Sequence, residues 1–120
     1  MKYEFQRTVL GCPIDVKLLR AGNDWLAEID GGAAPHIGSV STAYWENGKL
    51  QLKTVLLPGH RDDVISESYA KAIAEKTHVS CAVSCGIHYE NPGPEGIARI
   101  VSAAEEMKQE IVCEILKNVI

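Results

Sequence analysis

The sequence predicts an α+β fold, a two-layer sandwich in which a mostly antiparallel, mixed sheet of about six strands carries two helices on one face. Three patterns lead to that class. Apolar and polar residues alternate through the first half of the chain, the period of half-buried strands. Asn47-Gly48 stands between two such runs, a strong hairpin signal because both central residues of a type I′ turn need positive φ. Beyond residue 61 the apolar spacing twice lengthens to that of a helix.

Residues 3–10 and 13–20 read as strands, with Tyr3, Phe5 and Val9 on one face of the first and Ile14, Val16 and Leu18 on one face of the second. Gly11-Cys12-Pro13 punctuates them, and Ala21-Gly22-Asn23-Asp24 supplies the next turn. Trp25, Ala27 and Ile29 then turn a third strand's apolar face inward before Asp30-Gly31-Gly32 ends it. The Asn-Gly hairpin pairs residues 37–45 with 49–57. If Asn47 and Gly48 are its two loop residues, Glu46 faces Lys49, and counting back sets Pro35 opposite His60 and His36 opposite Gly59. A slip of one residue would send these side chains to opposite faces.

A helix is predicted over 62–77, with Val64, Ile65, Tyr69, Ala72 and Ile73 at helical spacing, Asp62 and Asp63 at its start, and Lys76 and His78 at its end. Residues 79–87 return to strand, and the crossover lays this sixth strand parallel to the fifth. A longer helix opens at Asn91-Pro92-Gly93-Pro94-Glu95 and runs to about Lys117, with Ile97, Ile100, Val101, Ala104, Met107, Ile111, Ile115 and Leu116 as its apolar stripe. Two helices cover one sheet face. The other is solvated or pairs with another subunit, and Trp25 or Trp45 on it would favour a homo-oligomer.

The 120 residues suit one domain, 1–120, with a core that needs neither metal nor disulfide. Composition, 46% hydrophobic and 23% charged, is that of a soluble globular protein, and no apolar run nears the roughly 20 residues of a membrane span. The N-terminus alternates like a strand instead of carrying a secretory stretch, so the expected location is the cytoplasm. A net charge of −4, with no basic stripe, argues against nucleic acid and membrane as partners. It does not exclude a small anion held by local dipoles. Cys12, Cys81, Cys85 and Cys113 lack Cys-x-x-Cys spacing and read as reduced thiols, with Cys81 and Cys85 on a core face beside Val83 and Ile87.

Three of the four histidines lie in glycine- or proline-punctuated junctions: Pro35-His36-Ile37-Gly38, Pro58-Gly59-His60 and Gly86-Ile87-His88. The hairpin register and the crossover bring all three to one edge of the sheet, where both helices also begin. Singly, each feature has a plainer reading: Gly31-Gly32 as a turn, Pro58-Gly59 as a strand terminator, Asp62-Asp63 as helix N-terminal charge, any one histidine as structural. Together they mark a ligand site, since loops at the carboxyl ends of strands are common binding positions. Helix N-termini and Arg61 would favour an anion, and Gly31, Gly32, Gly38, Gly59 and Gly86 would let backbone approach a ligand closely. His-x-x-x-His, His-Glu-x-x-His, Cys-plus-His motifs, a serine triad and a P-loop are all absent, so spacing assigns neither a metal nor a catalytic residue.

The segments GGAAPHIGSV, LPGHRDDVI and VSCGIHYENPGPEGI resemble, in order and spacing, those of the LpdD-like prenylated-flavin chaperones, over about Asp30 to Ile97. The resemblance implies a non-catalytic accessory protein that binds prenylated flavin mononucleotide (FMN) and helps mature a UbiD-type decarboxylase acting on hydroxylated aromatic acids such as hydroxybenzoates, with a flavin prenyltransferase as a further partner. It assigns cofactor binding to His36, Gly38, Gly59, His60, Gly86 and His88, supported by Arg61 and Asn91. Tyr89-Glu90-Asn91 departs from the more aliphatic-acidic run expected there, which bears on Asn91. Two other readings remain open: a small enzyme in which His36, His60 and His88 bind a metal or act as general acid and base, and a structural subunit docking through its open sheet face.

Overall fold

The computed structural model describes residues 2–119. Its elements are β1 (Lys2–Val9), β2 (Cys12–Ala21), β3 (Asp24–Gly32), β4 (Ser39–Glu46), β5 (Lys49–Leu56), α1 (Asp63–Thr77), β6 (Cys81–His88) and α2 (Gly93–Val119). The strands form one six-stranded sheet in the order β1-β2-β3-β6-β4-β5. All neighbours are antiparallel except β3 and β6. This is the expected α+β class, built from the expected elements.

The hairpin register holds: Glu46 pairs with Lys49 and the ladder runs to Ser39–Leu56, with Asn47 at φ 53° and Gly48 at φ 75°, as a type I′ turn demands. Placement of β6 is where the structure goes further. It runs in the direction of β5, but β4 lies between them, and the parallel neighbour of β6 is β3. The strand is wedged between two consecutive strands, β3 and β4. The segment joining those two rounds the C-terminal end of β6 and returns along it, through Ala33 N–H to His88 O (2.7 Å) and Gly38 N–H to Cys85 O (2.9 Å). Gly86 makes that return possible, because a Cβ there would lie 1.8 Å from the carbonyl oxygen of His36.

Both helices lie on the face that carries Ile14, Val16, Leu18, Trp25, Ala27, Ile29, Ala43, Cys81, Val83 and Cys85, all buried. α1 packs over β4, β5 and β6, and α2 lies over β1 and beside α1. Burying those side chains with Ile73, Met107, Ile111 and Ile115 of the helices drives the assembly, at roughly 1.5–3 kcal/mol for each large apolar side chain. The helices are tied together by the Tyr69 hydroxyl, which donates to Ala104 O (2.6 Å). Arg7 of β1 reaches Glu106 and Glu110 of α2. Under α1 the layer is polar as well as apolar: Ser66 Oγ is 2.8 Å from both Ser39 Oγ and Ser41 Oγ, and the chain continues to Thr54 and Glu67. Buried hydroxyls that satisfy one another fix the α1–β4 register without the cost of unpaired polar atoms.

Neither tryptophan is on the open sheet face. Trp25 is buried on the covered side, and Trp45 shares that side with Ala43, its ring centroid 5.7 Å from His78 at the end of α1. The open face instead mixes Asp15, Lys17, Glu28, Asp30 and Lys53 with exposed Leu19, Leu26, Val40 and Val55. The tryptophan argument for a homo-oligomer therefore has no basis in the fold. Burial raises the thiol pKa of Cys81 to about 12 and pushes that of Cys85 higher still, so both are the inert core thiols the sequence suggested.

Candidate functional site

Leu57-Pro58-Gly59-His60 is the turn that aims the second histidine. His60 N–H donates to Leu57 O (3.3 Å) and Gly59 takes φ 80°, a type II turn with proline and glycine in the positions that geometry favours. His36 arrives from the segment lying along β6, and the two rings meet with centroids 4.5 Å apart and planes 31° apart. Residues 24 positions apart are neighbours, as the extrapolated ladder required.

Between them stands Asp62, the residue just before α1. Its side chain is 8% exposed, with Oδ2 3.2 Å from His36 Nε2 and 3.8 Å from His60 Nδ1. Oδ1 accepts the Ile87 N–H at 3.0 Å, which orients the carboxylate. Gly38 leaves room for it, because a Cβ at 38 would fall 1.9 Å from Oδ2. His36 Nδ1 lies 2.9 Å from Ala34 O, so that nitrogen carries the proton it donates. Sequence reasoning took Asp62 for helix-end charge. A signal was present in its position two residues after His60 at the same junction, but its burial was not legible.

These groups form one wall of a cleft of about 370 Å³ lined by His36, Gly59, His60, Arg61, Asp62, Ile65, Ile87, His88, Tyr89, Pro92, Ile97, Ile100 and Val101. The first turns of α1 and α2 both border it. All three junction histidines line it too, but His88 is turned to Glu90 Oε1 (3.1 Å) and stands outside the His36–His60–Asp62 group. Arg61 is at the mouth, its side chain 81% exposed and its Nε 3.5 Å from Asp63 Oδ1. Tyr89 is buried, its hydroxyl donating to Cys12 O (3.0 Å); burial raises its pKa. Apolar side chains line the cleft as well, among them Ile97 and Val101 of the α2 stripe, which remain 54% and 48% exposed because they border this opening.

Some predicted site residues act at one remove. Gly38 and Gly86 do not line the cleft; the space of their missing side chains is filled by Asp62 and by the His36 backbone. Gly31 and Gly32 likewise accommodate the backbones of Ile14 and His88. Asn91, exposed at φ 43° just before α2, is not a lining residue. The dipole argument also changes, because Asp62 places a carboxylate at the mouth of α1 and weakens that helix end as an anion site.

Comparisons with known proteins bear on the family and fold of the chain. Residues 8–116 match the family described as the prenylated flavin chaperone LpdD-like domain. Protein LpdD of Lactiplantibacillus plantarum is 31% identical over 96 residues, which span 76% of this chain and 68% of that protein. A chain in the crystal structure of a chaperone complex for yeast 20S proteasome assembly superposes with a TM-score of 0.61 over 98% of both chains at 12% identity, a likeness of fold alone. No helix among the described residues is long and apolar enough to cross a membrane. By the extent of the family match and the identity to LpdD, this chain belongs to the LpdD-like prenylated flavin chaperone family.

Proposed function

We propose that the cleft holds prenylated FMN as cargo and that the protein delivers it to a UbiD-type aromatic acid decarboxylase, doing no chemistry itself. One observation carries the reading: the cleft is lined by both apolar side chains and a set of histidines, with an arginine at its mouth. Ile65, Ile87, Pro92, Ile97, Ile100 and Val101 offer apolar surface to a planar ring, while His36, His60 and His88 offer polar atoms to its edges and Arg61 at the mouth offers paired donors to a phosphate. The donor set thus fits the cargo. The volume of about 370 Å³ lies in the range of small-molecule sites, and an open mouth suits a ligand that must leave again.

The test is an anaerobic titration with reduced and oxidised prenylated FMN, followed by absorbance and melting temperature, and then by activation of an apo-decarboxylase. A ligand that binds only the folded state raises the melting temperature by mass action. The reading expects a spectral and thermal shift with at least one redox form, and faster activation of the enzyme when this protein is present. Neither form shifting the protein, with activation unaltered, ends the proposal.

A further inference from the structure

The geometry points to a divalent transition-metal site formed by His36 Nε2, His60 Nδ1 and Asp62 Oδ2 on the polar wall of the cleft. The three atoms lie within 4.8 Å of one another, with His36–Asp62 at 3.2 Å and His60–Asp62 at 3.8 Å. Metal–ligand bonds of about 2.0–2.1 Å at tetrahedral angles place ligand atoms roughly 3.3 Å apart, so two of the three edges are already near that spacing and only the His36–His60 edge must adjust.

Hydrogen bonding at the cluster points the same way. His36 Nδ1 donates to Ala34 O, which leaves Nε2 as the nitrogen available to a ligand in the cleft. That nitrogen faces Asp62 Oδ2. The 3.2 Å between them is filled either by a proton on Nε2 or by a metal ion that both atoms ligate, and the second nitrogen donor 3.8 Å from the same oxygen makes the set one that a metal can use. A backbone carbonyl on the far nitrogen of a histidine is how metal-ligating imidazoles are oriented, and the Ile87 N–H on Asp62 Oδ1 plays the same part for the carboxylate. Two imidazoles and one carboxylate suit zinc or iron better than calcium or magnesium. Asp62 is buried whereas the His36 and His60 side chains are 24% and 36% exposed, so the remaining coordination positions open to the cleft. Sequence spacing could not show this set, since its ligands come from two separate junctions. It also differs from the trio His36, His60 and His88, because His88 is bonded to Glu90.

The experiment uses the full chain stripped with EDTA and no flavin, so its outcome is separate from that of the cargo reading. Titration with Co²⁺, read by visible d–d absorption, and with Zn²⁺, read by calorimetry, is expected to give one ion per chain and a melting temperature higher by several degrees. His36→Ala and His60→Gln should each weaken Zn²⁺ binding at least tenfold. His78→Asn, which alters the histidine outside the cleft, should leave it unchanged. Absence of stoichiometric binding, with the Asp62–His36 gap bridged by a proton in the ¹⁵N spectrum of the ring, overturns the site. Binding of equal strength in both histidine variants overturns it as well.

Discussion

Gly86→Ala tests whether the His36 segment is held over β6 by steric fit. The new Cβ would lie 1.8 Å from His36 O and 2.3 Å from its carbonyl carbon. Both contacts are backbone, so no rotamer change relieves them and the 33–38 segment must retreat by more than an ångström. Overpacking of this kind costs about 1–3 kcal/mol. Retreat also lengthens the Gly38 N–H to Cys85 O and His36 N–H to Gly86 O bonds, each contributing about 1 kcal/mol. A total of about 3–5 kcal/mol corresponds to a fall in melting temperature of roughly 12–20 °C for a chain of this size. Calorimetry of G86A beside Gly59→Ala gives the comparison, because Gly59 has open space around its missing Cβ and only its φ of 80° to oppose the change. G59A should therefore lose only about 1 kcal/mol. Since the retreat carries His36 away from Asp62, ligand binding in G86A should fall further than stability alone accounts for. A G86A protein that melts within a degree of the parent and keeps its binding would refute the claim that this glycine seats the site.

Other outcomes follow from the same structure. Asp62→Ala removes the acceptor of the Ile87 N–H and should cost about 1–3 kcal/mol in urea unfolding, whereas Asp62→Asn keeps an oxygen there and should cost less than half as much. Glu28, on the open face, has its pKa raised to about 7 by burial and by the neighbouring carboxylate of Asp30. The folded state therefore holds a proton that the unfolded chain releases near 4.5, and stability falls as pH rises through that window to about 7. Glu28→Gln should flatten the decline and stabilise the protein by about 1 kcal/mol at pH 8, a figure reduced for solvent screening at this half-buried position. In thiol labelling at pH 8, exposed Cys113 should react first and half-buried Cys12 more slowly, while Cys81 and Cys85 react only on unfolding. Rapid native labelling of all four would contradict their placement.

Much of this fold was legible because local chemistry fixes it. Asn47-Gly48 dictates a turn, the turn dictates the β4–β5 register, and the register carries His36 to His60. Long-range order was less accessible: nothing in residues 81–88 indicates that they intercalate between β3 and β4, because that choice depends on pairing both edges of β6 with strands distant in sequence. The first turn was misplaced for a local reason. It centres on Leu10 and Gly11 at φ 52° and 80°, and leucine is an unfavourable residue at positive φ, so the pattern suggested a break nearer Pro13. At the site, junction histidines announce themselves through neighbouring glycine and proline. Asp62 does not, since a buried carboxylate and a solvated helix-end charge look alike until the backbone around them is known. Ile97 and Val101 were read as core for the same reason; helical periodicity reports which face is apolar, not whether sheet or cleft lies beneath it.

The most direct test is an amide NMR map of the protein with prenylated FMN under anaerobic conditions. The account predicts shifts concentrated at His36, His60, Ile87, His88, Ile97 and Val101, with Leu26, Val40 and Val55 on the open sheet face unmoved. Shifts confined to the open face, with the histidine cleft silent, would contradict it.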